Sequence, residues 1–168
     1  MRAKIAALTA LLLVASVAGA QQPKAKKNFA GTWVLDAAKS EGLMMPGLEQ
    51  TMTVKQDGDK FENESKLKTQ RGERTMNESF TADGKEGEFT MRMRQNETKG
   101  KRTVKWSSDG TSVEVNEAAD IQTPDGGTAS IKTTRKWSLS ADGKTLTIEE
   151  SRTSPRGEQK SKRVFNKQ

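Results

Sequence analysis

Short turn signals, each built around a glycine that follows a charged residue, recur at nearly even spacing along this sequence. Glycine readily takes the positive φ that tight β-hairpin turns require. The runs between the turns contain no proline and are rich in Thr, Val, Ile, Phe and Trp, which favour extended backbone. The turns lie at residues 56–59, 70–73, 82–85, 108–111, 124–127, 141–144 and 155–158. This pattern predicts a series of antiparallel strands joined by tight hairpins.

Within these runs, apolar and polar residues alternate with a period of two. Ile131, Arg135 and Trp137 share one face of a run whose other face carries Lys132 and Lys136. Such alternation is typical of an antiparallel sheet with one buried side. We predict ten strands, near residues 31–35, 50–56, 60–70, 73–82, 86–95, 100–108, 111–122, 128–139, 144–153 and 158–166, and one helical turn near 36–41.

A sheet of this many strands has exposed edges unless it closes on itself. Closure predicts an all-β, antiparallel up-and-down β-barrel of about eight to ten strands with little helix, an architecture that can hold a small ligand inside. A barrel that spans a membrane needs an apolar outer band. The outward set here is Lys, Glu, Thr, Arg and Asn, so we expect a protein that does not span the membrane.

The first twenty residues have the features of a secretory signal peptide. Arg2 and Lys4 precede a short apolar run, which ends in small residues before a cleavage point between Ala20 and Gln21. The run is too short to span a bilayer, which requires about 20 apolar residues. We therefore expect a signal peptide at 1–20, a flexible basic leader at 21–28 and a single domain at 29–168, in a protein that is exported to the periplasm or secreted.

The chain contains no cysteine, no histidine and no tyrosine. This excludes a disulfide scaffold, a zinc site with the usual sulfur or imidazole ligands, and Ser–His–Asp or Cys–His catalysis. We therefore expect that the protein is not an enzyme and that it binds no cofactor and no metal. The formal net charge is +7, but the bases lie beside acids and lack interleaved aromatics, so we expect no nucleic-acid partner. Weak attraction to anionic envelope surfaces is compatible with this charge, and a monomer is expected.

The segment Phe29-Ala30-Gly31-Thr32-Trp33-Val34-Leu35 contains a Gly-x-Trp motif and resembles the opening strand of the calycin superfamily, which comprises lipocalins and fatty-acid-binding proteins. The chain is also similar to small secreted bacterial proteins of lipocalin-like type. The resemblance implies a barrel whose tryptophan closes one end. The ending Lys162-Arg163-Val164-Phe165 matches in part the Arg-x-Tyr of the fatty-acid-binding branch, in which the arginine holds a ligand carboxylate. Residues 36–49 are too few for the two lid helices of that branch.

Three arginines are candidate ligand contacts. Arg135 and Arg152 keep phase with apolar positions of their strands, and Arg163 lies in the resembling last strand. An inward arginine is costly unless it is paired or hydrated. Each arginine could bind an anionic head group through two parallel hydrogen bonds, form an internal ion pair with Glu117 or Glu150, or face solvent near a strand end.

Other candidate ligand contacts are apolar. Trp137 and Phe165 would form an aromatic wall or belong to the core, and Met91 and Met93 would line an apolar site or fill gaps in the core. The apolar loop at residues 43–48 would cover the barrel mouth or plug its end. These observations predict an exported protein that binds a small hydrophobic or amphipathic ligand, and an anionic head group is among the ligand types that the arginines suit. The alternative is a non-enzymatic envelope accessory or protein-interaction domain whose barrel is filled by its own side chains.

Overall fold

A computed structural model describes residues 25–42, 47–93, 96–123 and 126–168, and this part of the chain is mostly β-strand. The strands are β1 (Gly31–Leu35), β2 (Glu41–Gly42), β3 (Glu49–Asp57), β4 (Lys60–Thr69), β5 (Gly72–Thr81), β6 (Glu86–Met93), β7 (Asn96–Trp106), β8 (Ser112–Gln122), β9 (Thr128–Leu139), β10 (Thr145–Ser154) and β11 (Gly157–Lys167). A 3-10 turn, Ala37–Lys39, follows β1. The ten predicted strands and the single helical turn are confirmed, and β2 is a two-residue addition. The predicted signal peptide, with its cleavage point at Ala20 and Gln21, lies outside the described residues.

Strand β4 shows how the alternating sequence produces the sheet. Phe61, Asn63, Ser65 and Leu67 are buried, whereas the residues between them are exposed. The exposed face carries cross-strand pairs of lysine and glutamate, such as those that link β3 to β4 and β6 to β7. Exposed ion pairs contribute little to stability, so burial of the alternate residues fixes the register.

The strands follow one another as antiparallel neighbours, in the sheet order β5-β4-β3-β1-β11-β10-β9-β8-β7-β6. Strand β1 pairs with β3 on one side and with β11 on the other, and Leu35 lies opposite Phe165. The first and last long strands therefore meet, as the predicted barrel closure requires, and the sheet curls around one interior.

The barrel wall has a seam between β5 and β6, because these are the two edge strands and no ladder joins them among the described residues. The connection between them at residues 82–85 is not the hairpin predicted from its Asp-Gly pair. The N–H of Ala82 donates to the Asp59 carbonyl at 2.8 Å, and the N–H of Gly84 donates to the Val104 carbonyl at 2.8 Å. The connection thus bonds to the turn between β3 and β4 and to β7, and not across a hairpin between β5 and β6.

One end of the barrel is filled by an aromatic core. Phe29, Trp33, Phe61, Trp137 and Phe165 are fully buried there. The ring of Phe29 lies 6.0 Å from that of Phe61 and 6.4 Å from that of Trp137, both edge-on. Edge-to-face pairs of this kind add to the stabilisation that comes from burial alone. We call this filled end the closed end of the barrel.

Residues 25–30 cross the closed end and form what we call the N-terminal strap. The Phe29 N–H donates to Gln56 Oε1 at 2.7 Å, and the Lys27 N–H donates to the Gly110 carbonyl at 2.9 Å. Lys26 Nζ bonds to Asp59 at 2.6 Å. These contacts join β3 to two of the turns at this end and hold Phe29 in the core.

The opposite end, which we call the mouth, carries the turns that join β4 to β5, β6 to β7, β8 to β9 and β10 to β11. The ends of the apolar loop at 43–48 lie at the mouth. Gly42 pairs with Ser161 of β11, and a Cβ built on Gly47 would lie 3.8 Å from Gln70 Cγ. Residues 43–46 lie outside the described part of the chain, so the predicted cover or plug stays a prediction.

Candidate binding site in the barrel interior

A ring of polar side chains, which we call the polar belt, lies in the interior between the aromatic core and the mouth. Its members take inward positions next to core residues in the alternation of eight strands: Gln50, Asn63, Ser65, Glu78, Arg102, Glu117, Arg135, Glu150 and Arg163. On one wall, Gln50 Nε2 donates to Ser65 Oγ at 3.5 Å, and Ser65 Oγ donates to Asn63 Oδ1 at 3.4 Å. The other walls carry the charged members.

Four charged side chains form a connected ion-pair network in the belt. Arg135 Nη1 and Nη2 donate to the two carboxylate oxygens of Glu78 at 2.9 and 2.6 Å, and Nη2 also donates to Glu117 at 3.0 Å. Arg102 donates to Glu117 and to Glu78, each at 2.7 Å. These four side chains are only 12–18% exposed. Two-pronged bonds between guanidinium and carboxylate are among the strongest hydrogen bonds in proteins, so the network is a rigid part of the interior.

Arg102 also closes the seam with its side chain. It starts on β7, passes β6 and reaches β5, where its Nη1 donates to the Ser79 carbonyl at 3.1 Å. Its guanidinium carbon lies 4.8 Å from the ring centre of Phe89 on β6 and 6.0 Å from that of Phe80 on β5. Cation–π contacts within about 6 Å are attractive. Side-chain contacts of Arg102 thus link β5 and β6, between which the described residues form no backbone ladder.

The network keeps Glu78 and Arg135 charged. Burial by itself would raise the pKa of Glu78, but the hydrogen bond and charge of Arg135, with the charges of Arg102 and Arg163, outweigh burial and lower that pKa. Burial likewise opposes the charge of Arg135, yet the bond and charge of Glu78 and the charge of Glu117 raise the pKa of Arg135. The belt therefore contains ionised groups of both signs at neutral pH.

The remaining two arginines that the sequence singled out differ from each other. Arg163 Nη2 donates to Glu150 at 3.3 Å, and both side chains are about one-quarter exposed. Burial lowers the pKa of Arg163, and the charge of Glu150 counteracts this. Arg152 lies one inward position nearer the mouth, between Thr133 and Gln159 on the adjacent strands. It is half-buried and has no hydrogen-bond or ion-pair partner among the described residues.

Three buried polar atoms near the belt have no hydrogen-bond partner in the described part of the chain: Arg135 Nε, Trp137 Nε1 and Gln50 Oε1. Arg135 and Trp137 are neighbours on the inner face of β9, whereas Gln50 is on β3. Buried polar groups are nearly always satisfied, and an unsatisfied one indicates strain, water or a bound polar group. Two donors and one acceptor are thus free to bond inside the barrel.

A second apolar zone, which we call the mouth ring, lies on the mouth side of the polar belt. It consists of Leu67, Phe89, Met91, Ala119 and Ile131, which occupy inward positions on β4, β6, β8 and β9. Leu67, Ala119 and Ile131 are buried, and Phe89 and Met91 are half-buried. The apolar interior is therefore divided in two by a charged layer.

Two surface concavities, of about 570 and 350 Å³, lie next to each other on the outside of β3, β4 and β5. Their walls are mostly outward-facing polar residues, among them Lys55, Glu62 and Lys68. The wall of the first concavity also includes Asn63 and Glu78, which belong to the polar belt.

The structure divides the predicted site residues among different places. Trp137 and Phe165 lie in the aromatic core, Arg135 and Arg163 lie in the polar belt, and Met91 lies in the mouth ring. Arg152 lies near the mouth. Met93 is in β6, and its side chain lies outside the described part of the structure.

Phe165 and its neighbour Val164 are both buried, although they point to opposite faces of β11. Phe165 faces the core. Val164 is covered where the chain turns after β1, because the Asp36 N–H donates to the Val164 carbonyl at 2.8 Å and the Val164 N–H donates to Ser40 Oγ at 3.0 Å. The resemblance would require a tyrosine hydroxyl at residue 165. This chain has Phe165 there, and its ring lies inside the core.

Sequence reasoning missed Glu78 and Arg102, which are central to the network. A signal for both was present, since Glu78 keeps phase with Phe80 and Arg102 keeps phase with Val104. It was the same signal that marked Arg135. Of the three alternatives that the sequence left open for the arginines, the internal ion pair is the arrangement found for Arg135 and Arg163.

No cluster of three or more Asp or Glu side chains is arranged to hold a metal ion among the residues that the structure describes. In the same residues, no helix is long and apolar enough to cross a membrane. The carboxylates inside the barrel are bonded to guanidinium groups instead.

Comparisons with known proteins identify the fold. No protein-family model and no curated protein matches the sequence. The zebrafish ileal bile acid-binding protein, solved in complex with cholic acid, is 17% identical with a TM-score of 0.53, and the match covers 83% of this chain and 98% of that one. Secretory abundant heat soluble protein 4 from Ramazzottius varieornatus is 13% identical with a TM-score of 0.49, covering 83% and 94% of the two chains. The fatty-acid-binding protein of Manduca sexta is 17% identical with a TM-score of 0.45, covering 83% and 99%. The chain therefore shares the overall β-barrel fold of the zebrafish protein, and the barrel is the fold that the sequence resemblance implied.

Proposed function

We propose that this chain is an exported, non-enzymatic binding protein that holds a small hydrophobic or amphipathic molecule inside its β-barrel. The binding space lies between the polar belt and the mouth and is lined by the mouth ring. The predicted signal peptide supports export. The lack of histidine and cysteine, together with the pairing of the belt carboxylates to arginines, supports a role without catalysis.

The main support for this proposal is the division of the interior into two apolar zones. A barrel that only filled itself would gain more by joining its apolar side chains in one core, because replacing a buried ion pair by packed apolar residues is often neutral or stabilising. Here the charged layer separates the mouth ring from the core. Met91 and Phe89, with the half-exposed Met76 nearby, provide an adaptable apolar surface at the mouth. An apolar ligand portion there would bury the ring further.

Two further observations support the proposal. A protein of the same fold from zebrafish was solved with cholic acid bound. Arg152 lies near the mouth without a partner in the described residues and can meet an acidic end of a ligand there. The entry route is the mouth, where Gly42 and Gly47 lie.

The test is native mass spectrometry of the protein purified from its own host, combined with tryptophan fluorescence during titration with lipids. The expected result is a small molecule that stays bound in the native spectrum and that also shifts the tryptophan emission of the protein. A ligand-free spectrum, together with unchanged emission across the lipid panel, would overturn the proposal.

A matched pair of variants locates the site. Ala119 belongs to the mouth ring, whereas the adjacent Ala118 is exposed on the outer face of the same strand. Ala119→Leu places three carbons inside the proposed space and should weaken binding by about tenfold or more, as steric filling of a pocket does. Ala118→Leu adds the same carbons outside and should leave binding unchanged. Equal affinities of the two variants would place the ligand elsewhere.

One observation favours a second candidate function, in which the chain acts through its outer surface. The two concavities lie outside the sheet, on β3, β4 and β5, and much of the interior is paired or packed. In this alternative the barrel is an envelope accessory or protein-interaction domain. A ligand-free native spectrum combined with a stable protein partner that is lost in a Lys55→Glu variant would favour it.

A further inference from the structure

We propose that the polar belt binds a neutral, hydroxyl-bearing group of the ligand and disfavours an ionised acid. This inference rests on the proposed function and specifies the class of ligand. The preferred molecule is an uncharged amphiphile, such as an alcohol, whose hydroxyl enters first. The partners offered to it are Arg135 and Gln50 of the belt and Trp137, the core residue next to Arg135 on the inner face of β9.

The first step is the charge balance of the belt. Its three arginines, Arg102, Arg135 and Arg163, face three glutamates, and each arginine bonds to at least one of them. An ionised acid that entered this layer would have to displace a glutamate or lie beside one. Like charges that share a buried site repel each other strongly. The belt therefore has no spare positive charge for a carboxylate.

The second step is the pair of unused donors on β9. Trp137 is 1% exposed and its Nε1 has no acceptor among the described residues, nor does Arg135 Nε. Residues two apart on a strand point to the same side and lie about 7 Å from each other. A single acceptor atom can satisfy either donor, and a small polar group with two oxygens can reach both. A buried donor without an acceptor costs stability, so binding such a group is favoured.

The third step is the unused acceptor on β3. Gln50 is 5% exposed, and its Oε1 has no donor in the part of the chain that the structure describes. Its Nε2 already donates to Ser65 Oγ, so the carbonyl oxygen is fixed with its lone pairs free. A carboxylate has no proton to give to this oxygen, whereas a hydroxyl can both accept and donate. A hydroxyl can therefore bond to a free atom of either kind, the Gln50 acceptor or one of the two donors on β9.

The test compares two probes that differ only in their head group, dodecanol and dodecanoate, by calorimetric titration of the full mature chain at neutral pH. We expect dodecanol to bind at least about tenfold more tightly than dodecanoate, the discrimination expected when one buried hydrogen-bonded group is left unsatisfied or one charge is unpaired. Tighter binding of dodecanoate would overturn the inference while leaving the proposed function intact.

A pair of charge variants tests the balance of the belt. Glu150→Gln removes one negative charge from inside the barrel and frees Arg163, whereas Glu149→Gln removes the same charge from the exposed face of the same strand. Glu150→Gln should shift the dodecanoate-to-dodecanol affinity ratio towards the acid by about tenfold, since a charge-assisted bond becomes available. Glu149→Gln should not shift it. An equal ratio in both variants would contradict the charge-balance argument.

Trp137→Phe tests the donor. The variant keeps an aromatic ring in the core and removes Nε1–H, so dodecanol affinity should fall about fivefold, the size of one neutral hydrogen bond. An unchanged affinity would show that the donor bonds to water and not to the ligand, and would overturn this part of the inference.

The molecule carried by the native protein is a second readout, in which a neutral hydroxyl compound supports the inference and an ionised fatty acid overturns it. Binding of neither probe, with a ligand-free native spectrum, would overturn the proposed function itself.

Discussion

Glu78 on β5 and Arg135 on β9 come from separate walls of the barrel and meet in its interior through two hydrogen bonds, of 2.9 and 2.6 Å. Glu78 also bonds to Arg102 of β7. Strand β5 is paired with β4 but shares no ladder with β6 in the described structure, so these contacts link the edge strand β5 to β7 and β9 across the interior. The same side chains therefore close the barrel and form the floor of the proposed binding space.

Removal of Arg102 should open the seam. Arg102→Met keeps the length of the side chain but leaves Glu78 and Glu117 with less compensation, and breaking a buried pair from one side costs about 3 kcal/mol of the free energy of unfolding. Amide hydrogen exchange should increase in β5 and β6 more than in β10 and β11. The matched control is Lys101→Met, since Lys101 bonds to Glu86 on the exposed face. If both variants unfold at the same urea concentration, the seam does not depend on Arg102.

Acid should weaken the fold through Glu78. The pKa of Glu78 is lower in the folded chain than its ordinary value of 4.5, so its ionised form stabilises the fold. This stabilisation is complete above about pH 4.5 and is lost as the pH falls through the lowered folded value. Urea unfolding at a series of pH values should show this loss in the wild type.

Glu78→Gln should be less stable than the wild type at neutral pH and should lose less on acidification, because residue 78 no longer takes up a proton. The exposed Glu73→Gln on the same strand is the control and should follow the wild-type profile. A Glu78→Gln profile parallel to that of the wild type at every pH would rule out Glu78 as a source of the acid sensitivity.

The N-terminal strap should contribute to the closed end of the barrel mainly through Phe29. This ring is fully buried against Phe61 and Trp137, and Phe→Ala changes in a core cost about 3–5 kcal/mol. Phe29→Ala should lower the free energy of unfolding by that amount. Lys26→Ala removes a half-exposed bond to Asp59 and a cation–π contact with Trp106, and should have a much smaller effect. A small effect of Phe29→Ala would mean that the strap is dispensable for the core.

Much of this architecture follows from local sequence. The turn residues and the period-two alternation place every long strand, and the inward phase of Arg135 and Arg163 follows from the same rule. The seam could not be predicted, because the sequence at 82–85 is a good hairpin turn in isolation. Tertiary contacts decide the outcome, because the N–H groups of Ala82 and Gly84 donate to the carbonyls of Asp59 and Val104 and not across a hairpin.

The pairing within the polar belt was only partly accessible from sequence. The position of a residue in the period-two alternation identifies which charged side chains point inward, and this rule applies to Glu78 and Arg102 as well as to Arg135. It does not identify the partners, because Glu78 and Arg135 are far apart in the chain and on strands that are not adjacent in the sheet. The partners depend on how tightly the sheet curls, and no local pattern encodes that curvature.

Close packing at Gly100 predicts a contrast between two glycines on neighbouring strands. A Cβ at Gly100 would lie 2.5 Å from Phe89 Cε1 and 2.6 Å from the Ala118 carbonyl oxygen, whereas a Cβ at Gly87 meets nothing within 4 Å. Gly100→Ala should cost about 1–3 kcal/mol of the free energy of unfolding through overpacking. Gly87→Ala should be neutral or slightly stabilising. Equal stability of the two variants in urea unfolding would show that the β6–β7 wall yields without cost.

Arg152 should contribute to the binding of acidic amphiphiles at the mouth, as the proposed function implies. It has no partner among the described residues and is half-buried, so Arg152→Gln should weaken dodecanoate binding by about three- to tenfold, in the range of a partly exposed charge-assisted contact. Dodecanol binding should change less, because its hydroxyl is expected to lie in the polar belt. Arg156→Gln, in the exposed turn between β10 and β11, is the control for net charge. An equal loss of dodecanoate affinity in the two variants would show that Arg152 acts only through the overall positive charge.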